Sequence, residues 1–295
     1  MATEPNAEGE RGEWTASVNG TQLRVEQAGS GAQTVVFSPN PFINRALYDA
    51  PFAALSGDYR CLRYDQRGQG DSGFGVPQPS PDLLGTEGLY DDAVALLDQL
   101  GVDSFHWVGS SVGAFVGARL AARHPDRVRS LVLLGFSTEP ASRADRLYVN
   151  MMLGIVRFGP RLGAVGSALQ RRACEQAMQN MFGPTFMSDP ARADDRELSR
   201  ERFMALLVPE GAPVLRAVFG HPGTPAELLA QIKAPTLIIA GEEEYGGTGE
   251  AQQAQRDIPD ARLVTVPGAG HMVLIEQPDA GTAAITEFIR GVDAG

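Results

Sequence analysis

The sequence predicts an α/β fold with a mostly parallel central sheet, helices on both faces and an inserted helical cap. Short apolar runs rich in β-branched residues alternate with helical patterns along much of the chain, as they do in parallel-sheet proteins. Residues 138–233 interrupt this alternation with helical pieces only. The 295 residues are 43% hydrophobic and 21% charged, so the chain can bury a core without a disulfide or a structural metal.

The first half of the chain supplies most of the predicted sheet. Asn19 and Gly20 form a hairpin signal between two alternating runs. Further strands are predicted for "QTVVFS", "YRCLRYD", "FHWVGS" and "RVRSLVLLGFS". An amphipathic helix is predicted for "TEGLYDDAVALLDQLGV", with Thr86 as its cap and Gly101 at its end. A second helix follows "FHWVGS" and ends before Pro125.

The second half of the chain supplies the predicted cap and the remaining strands of the sheet. Helical pieces are "RADRLYVNMMLGIVRF", "RRACEQAMQNMF", "DDRELSRERFMALLV" and "TPAELLAQI". Strands return in "PTLIIAGEE" and "ARLVTVPGAGH", and "GTAAITEFIRGV" predicts a closing helix. The predicted organisation is therefore a flexible tail at 1–12, an α/β core at 13–137 and 234–295, and a helical cap at 138–233.

Charge and composition narrow the classes of partner. A net charge of -11 disfavours nucleic acid and anionic membranes as partners. No apolar run approaches the ~20 residues of a membrane span, and the polar N-terminus lacks the pattern of a signal peptide. Cys61 and Cys174 have no metal-ligand spacing. We expect a cytoplasmic monomer or homodimer that acts on a small-molecule substrate, with no metal, cofactor, nucleic-acid or membrane partner.

Two adjacent serines lie in a Gly-x-Ser-x-Gly motif between a predicted strand and a predicted helix. A turn that sharp strains its central residue and needs small neighbours, which Gly109 and Gly113 supply. Ser111 is the central residue and the candidate nucleophile. Ser110 is predicted to point away from the site. The strand–turn–helix context makes this short motif more specific than its five residues alone.

A serine hydroxyl needs a base to take its proton, and four histidines are available. His106 lies within a strand and is interpreted as a core or strand-edge residue, and His124 ends a helix, where it can interact with the helix dipole. His221 lies in a Gly- and Pro-rich connection and is interpreted as a surface residue. His271 follows a strand in "PGAGH", where two glycines let the loop fold over the sheet edge. His271 is the best candidate base.

The base in turn needs a carboxylate that fixes its tautomer. Glu242, Glu243 and Glu244 follow the strand in "IIAGEEEYGG". Three consecutive carboxylates are more often a solvated loop than a site. One of them at this end of the sheet is nevertheless what the mechanism requires.

These motifs together resemble the α/β-hydrolase fold family. The segment "DQRGQGDS", Asp65 to Ser72, matches a family pattern, "GSSVG" matches its nucleophile turn, and "GAGH" matches its final loop. The resemblance extends from about Trp14 to Ile289, with the order serine, acid, histidine. Within the family, "VVFSPN" followed by "LRYDQRGQGDSG" is most similar to the 3-oxoadipate enol-lactonase group, and "MFGPTF" points the same way.

The resemblance implies a role for each candidate residue. Ser111 is the nucleophile, His271 the base, and Glu244 the acid, because the family's acid falls three residues after the glycine that ends its strand. The family usually has Asp at the acid position. Glu244 is one methylene longer and needs a loop set back to suit it, so Glu243 stays an alternative.

The resemblance also implies an oxyanion hole with two backbone donors. One is the N–H of Val112, directly after the nucleophile, and the other comes from the loop Ser38–Phe42. Alignment without gaps places Pro41 at the second donor position, and proline has no N–H. A shift of one residue makes Asn40 the donor.

The cap sequence does not assign a substrate-binding residue. Most of its apolar side chains are expected to pack the cap onto the core, and a subset is expected to line a pocket. Four arginines are interpreted either as partners of an anionic substrate group or as a solvated helix face; they are Arg143, Arg146, Arg157 and Arg161.

The predicted function is cleavage of a carboxylic ester or lactone of a small molecule by a Ser-His-Glu triad through an acyl-enzyme. A serine nucleophile disfavours the epoxide and haloalkane branches of the family, while a thioester substrate stays open. The alternative is a non-hydrolytic protein on the same fold. It would be a ligand receptor, or a cofactor-free oxygenase or lyase that uses His271 as a base. An acyltransferase that excludes water is a third possibility.

Overall fold

The computed structural model of the protein describes residues 11–76 and 80–295. Its strands are β1 (Gly12–Val18), β2 (Thr21–Ala28), β3 (Thr34–Ser38), β4 (Arg60–Tyr64), β5 (Phe105–Ser110), β6 (Val128–Leu134), β7 (Thr236–Gly241) and β8 (Ala261–Val266). They form one sheet in the order β1-β2-β4-β3-β5-β6-β7-β8. β2 is antiparallel to β1 and β4, and the other neighbours are parallel. The predicted α/β-hydrolase architecture with a mostly parallel sheet is therefore confirmed.

Helices cover the sheet and fill the segment between β6 and β7. They are α1 (Asp49–Leu55), α2 (Pro81–Leu84), α3 (Thr86–Gln99), α4 (Val112–Arg123), α5 (Arg143–Phe158), α6 (Ala164–Met181), α7 (Pro184–Ser188), α8 (Ala193–Leu206), α9 (Ala212–Phe219), α10 (Ala226–Leu229), α11 (Gly249–Asp257), α12 (Val273–Glu276) and α13 (Pro278–Ala294). Short 3₁₀ helices lie at Arg45–Tyr48, Gly159–Leu162, Pro190–Arg192 and Pro209–Gly211. Among the described residues, no helix is both long and apolar enough to cross a membrane.

The N-terminal hairpin and helix α3 give one local prediction that is confirmed and one that is wrong. Asn19 and Gly20 both have positive φ and join β1 to β2, as predicted. The prediction that Thr86 caps α3 is wrong. One residue separates α2 from α3, so the extended Gly85 is the N-cap and Thr86 is the first helical residue. The predicted tail at 1–12 lies mostly outside the described residues, and β1 begins at Gly12.

The central strands position the candidate site. Every residue of β3, β5 and β7 is buried, as expected for parallel strands with helices on both faces. The register pairs Ser38 with Gly109 and Ser110 with Leu134, so the carboxyl ends of β3, β5 and β6 lie side by side. The loops that follow these strands therefore meet at one edge of the sheet, where ligands bind in open α/β sheets.

The segment predicted as the cap, residues 138–233, contains the six helices α5 to α10. We call it the cap segment. α7 and α9 were not predicted, because their prolines suggested breaks. Pro184 and Pro213 instead lie in the first turn of α7 and α9, where a missing N–H costs nothing.

Candidate active site

The turn at Ser111 has the strained geometry that the motif predicts. Ser111 joins β5 to α4 with φ 51° and ψ -112°, a left-handed conformation that is uncommon outside glycine. A Cβ on Gly109 would lie 2.2 Å from the carbonyl oxygen of Gly113. A Cβ on Gly113 would lie 2.0 Å from the carbonyl oxygen of Ser38. Both glycines are therefore required for the close approach of strand, turn and helix.

The two serines of the motif have different surroundings. The Ser111 N–H donates to the Leu134 carbonyl at 2.8 Å, and its carbonyl accepts from the Phe115 N–H at 3.0 Å. The Ser111 side chain is partly exposed and caps no N–H of α4. Ser110 is buried, and its Oγ lies 3.5 Å from Nδ2 of Asn40. The Ser111 hydroxyl is thus the one free to meet a ligand.

The His271 imidazole lies against the end of β6. Gly135 follows Leu134 with φ 56°, and a Cβ there would lie 2.5 Å from Cε1 and 2.9 Å from Nε2 of His271. Leu134 is also the residue whose carbonyl accepts from Ser111. The imidazole and the serine turn are therefore both anchored at the Leu134–Gly135 step. Any side chain at Gly135 would displace the imidazole.

One of the three consecutive carboxylates reaches the histidine. Nδ1 of His271 lies 2.6 Å from Oε1 of Glu244. Glu243 instead accepts from the Thr185 N–H at 2.9 Å and from the Thr185 hydroxyl, which joins the core to α7. The Glu242 side chain is exposed. The longer glutamate side chain therefore reaches the imidazole from this position, and Glu243 has a different partner.

The electrostatic surroundings of His271 favour its charged form. Burial disfavours the imidazolium and alone would lower the pKa of His271. The hydrogen bond and the charge of Glu244, with the charge of Glu276, outweigh burial and raise the pKa above its ordinary value. The imidazole is therefore a stronger base than free histidine.

A pH profile tests this raised pKa. A general base acts in its neutral form, so kcat/KM is expected to rise with pH through the pKa of His271 in the free enzyme. The midpoint of this acidic limb is expected above the ordinary value of 6.5. In Glu244→Gln the midpoint is expected to shift down, because the neutral amide no longer stabilises the imidazolium. A midpoint at or below 6.5 in the unmodified protein would contradict the ion pair.

A further carboxylate, which the sequence did not single out, holds the backbone on both sides of His271. Glu276 is buried and accepts from the N–H groups of Gly270 at 2.9 Å, Met272 at 3.0 Å and Gly183 at 2.7 Å. Burial raises the pKa of Glu276 more than these bonds and the charge of His271 lower it. In the sequence, Glu276 is visible only as a carboxylate five residues after His271. No local pattern indicates that it binds the N–H groups of Gly183, Gly270 and Met272.

Asn40 lies where the predicted oxyanion loop passes the site. Its Oδ1 accepts from the N–H groups of Phe42 at 2.9 Å and Ile43 at 3.0 Å, which fixes the loop. Its Nδ2 lies 3.4 Å from the sulfur of Met272, the residue after His271. The Asn40 side chain therefore lies between Ser110, which precedes Ser111, and Met272, which follows His271.

Two buried backbone N–H groups in this region are without acceptors. Within residues 11–76 and 80–295, neither the Asn40 N–H nor the Val112 N–H donates a hydrogen bond. Val112 is the first residue of α4, where an N–H has no acceptor within the helix. Pro41 has no N–H to give. Buried donors are rarely left unpaired, so both groups are available to a ligand oxygen.

Aromatic side chains of the cap segment contact the loop after Asn40. The Phe42 ring stacks on Phe203 with centroids 4.4 Å apart and meets Phe219 at 6.1 Å. Phe182 lies 6.0 Å from Phe203. A pocket of about 250 Å³ adjoins this cluster and is lined in part by Pro41 and Phe42. The side chains packed on Phe42 are therefore aromatic, while Arg202 and Glu210 also line the pocket.

The other histidines have partners elsewhere. His106 is buried, with Nδ1 2.8 Å from Oγ of Ser130, and His124 is the C-cap of α4, as predicted. His221 is half-buried and stacks on Phe115 at 4.9 Å, so its interpretation as a surface residue is wrong. Among the described residues, no group of three or more His, Cys, Asp or Glu side chains has the arrangement of a metal site.

Comparison with known proteins agrees with this architecture. The family described as alpha/beta hydrolase fold matches residues 35–278. The chain is 29% identical to the putative carbamate hydrolase RutD of Rhizobium rhizogenes (strain K84 / ATCC BAA-868), over 88% of this chain and 93% of that protein. It is 25% identical to the RutD of Caulobacter sp. (strain K31), over 89% of this chain and 92% of that protein.

Solved structures give the same picture. The crystal structure of a hydrolase from Pseudomonas aeruginosa PA01 is 26% identical, with a TM-score of 0.75 over 94% of this chain and 98% of that chain. The enol-lactonase from Burkholderia xenovorans LB400 is 24% identical, with a TM-score of 0.77 over 94% of this chain and 99% of that chain. The enol-lactonase likeness shows a shared fold.

Proposed function

Because this chain belongs to the α/β-hydrolase fold family, we propose that it is a serine hydrolase that cleaves a carboxylic ester or lactone of a small molecule. One observation carries the proposal. His271 and Glu244 are paired at 2.6 Å, and the imidazole lies on the same Leu134–Gly135 step that anchors the strained Ser111 turn.

The acylation step uses these three side chains. Ser111 Oγ attacks the substrate carbonyl carbon while Nε2 of His271 takes the hydroxyl proton. Glu244 accepts the Nδ1–H, which fixes the tautomer and stabilises the imidazolium. The C–O bond to the alcohol then breaks, and the imidazolium returns its proton to the departing oxygen. For a lactone, the alcohol stays attached to the acyl group.

The second half of the reaction regenerates the serine. Water loses a proton to His271 and attacks the acyl-enzyme, and the acid leaves as Ser111 is reprotonated. In both halves the carbonyl oxygen becomes an oxyanion that would accept from the N–H groups of Val112 and Asn40. A donor of this kind contributes about 3 kcal/mol to the transition state.

The relatives support hydrolase activity, and they widen the set of substrates to assay. Several are named putative carbamate hydrolases, and the P. aeruginosa structure is titled a hydrolase. A carbamate presents a carbonyl to the same nucleophile. Esters, lactones, thioesters and carbamates therefore form the substrate panel.

Labelling with a fluorophosphonate probe tests the activated serine. We expect covalent modification of Ser111, located by mass spectrometry of the modified peptide, and no modification in Ser111→Ala. Ser110→Ala is the matched control, because it removes the neighbouring hydroxyl, which is buried. We expect Ser111 of this variant to be labelled fully. Turnover of any member of the substrate panel would then establish hydrolysis.

Failure to label a folded protein would overturn the proposal. It would favour the non-hydrolytic alternative, in which the fold serves as a ligand receptor or His271 acts alone as a base. Labelling of Ser110 in place of Ser111 would make Ser110 the nucleophile and show that the choice of Ser111 is wrong.

A further inference from the structure

Helix α5 exposes an apolar stripe to solvent. Leu147, Met151 and Phe158 are 72%, 54% and 50% exposed. Their spacing of four and seven residues places all three on one side of the helix. Exposed apolar residues are ordinary when scattered, but a continuous row on one helix face indicates a contact surface.

The packing of α5 on the cap segment does not account for this stripe. The side chains that α5 buries lie on the opposite side of the helix; they are Val149, Met152, Leu153 and Val156. α5 therefore has two apolar sides, one buried within the protein and one exposed to solvent.

Further exposed apolar residues follow α5 in the chain. Leu162 lies in the 3₁₀ helix that follows, and Val165 and Leu169 lie in the first turns of α6. All three are exposed. We call Leu147, Met151, Phe158, Leu162, Val165 and Leu169 together the cap patch.

The chain segment that carries the cap patch is strongly basic. Residues 143–172 contain six arginines and one acidic residue, a net charge of +5 in a chain of -11. The guanidinium carbons of Arg157 and Arg161 lie 5.5 and 5.6 Å from the centre of the exposed Phe158 ring. An apolar stripe bordered by arginine is the pattern of helices that lie in the headgroup region of a bilayer.

We propose that the cap patch docks on the surface of an anionic lipid bilayer. The apolar side chains would enter the boundary between headgroups and acyl chains, and the arginines would meet lipid phosphates and carboxylates. This inference is independent of the reaction at Ser111. It differs from the sequence-based expectation of no membrane partner, which rested on the net charge of the whole chain and not on the charge of this segment.

Local charge also argues against a second copy as the occupant. A two-fold contact would place the same patch of both copies face to face, and so bring the two sets of arginines together. Like charges brought together in this way oppose association. An anionic bilayer complements both the apolar row and its basic border.

Vesicle sedimentation tests the proposal with lipid alone as the ligand. We expect the purified protein to sediment with phosphatidylcholine vesicles that contain phosphatidylglycerol, and much less with phosphatidylcholine alone. Binding should weaken as salt is raised. Replacement of two arginines, Arg157→Gln with Arg161→Gln, is expected to lower the partition coefficient about 30-fold. Phe158→Ser is expected to lower it about tenfold.

Two exposed residues outside the cap patch provide matched controls. Leu198→Ser removes an apolar side chain that is 46% exposed on α8, and Arg256→Gln removes an exposed arginine on α11. Both should bind as the unmodified protein does. Circular dichroism melting would show that every variant is folded.

Several outcomes would overturn the proposal. These are no sedimentation with anionic vesicles, equal sedimentation with neutral vesicles, or cap-patch variants that bind like the controls. Self-association in sedimentation equilibrium that Phe158→Ser abolishes would assign the patch to a second copy of the chain instead.

Discussion

Replacement of Ser111 by alanine is expected to lower kcat/KM for an activated ester by about 10⁶-fold, while the protein melts at an unchanged temperature. The loss follows from removal of the attacking oxygen, since the other groups of a triad cannot replace it. Stability should persist because the Ser111 side chain caps no N–H of α4, and the turn depends on Gly109 and Gly113. Hydrolysis of a p-nitrophenyl ester is the measurement.

Ser110→Ala is the control for this experiment. Ser110 is buried and lies at the edge of hydrogen-bond distance from Asn40, so its kcat/KM should change by only a few-fold. If Ser111→Ala kept a tenth or more of the activity, the nucleophilic role of Ser111 would be wrong and water attack assisted by His271 would replace it.

Glu244→Gln is expected to lower kcat about 10⁴-fold, the second largest effect. The glutamine amide keeps the size of the side chain but removes the charge that stabilises the imidazolium. Its N–H₂ group can also hold the wrong tautomer of His271, which leaves no lone pair on Nε2 for the serine proton. Single-turnover measurements would place the loss in the chemical steps.

Glu243→Gln separates this role from that of a neighbouring carboxylate. Glu243 bonds to Thr185, so its replacement should weaken attachment of α7 and lower the melting temperature while kcat changes by less than tenfold. A larger loss of kcat in Glu243→Gln than in Glu244→Gln would transfer the acid role to Glu243.

The parts of the site that the sequence predicted depend on short-range chemistry. A Gly-x-Ser-x-Gly turn between a strand and a helix is encoded within a few residues, and Ser111 was chosen as the candidate nucleophile for that reason. His271 was found in a similar way, from glycines next to a strand end. The parallel order of the strands followed from their alternation with helices.

The parts that the sequence left open depend on residues far apart in the chain. The choice between Glu243 and Glu244 is decided by their distant partners, because Glu243 bonds to Thr185 in the cap segment and Glu244 meets His271. The position of Asn40 depends on Met272, 232 residues away. Such contacts exist only once the fold has formed, and local patterns do not encode them.

The contacts of the cap segment with the histidine loop have a consequence for how this protein could be re-engineered. The Met181 carbonyl accepts from the His271 N–H at 3.0 Å, and the Gly183 N–H donates to Glu276. The proposed base, His271, is thus supported from both sides, by the core and by the C-terminal end of α6. A cap borrowed from another protein would have to reproduce these two backbone groups. A chimera without them is expected to keep the Ser111 turn and to lose the alignment of His271.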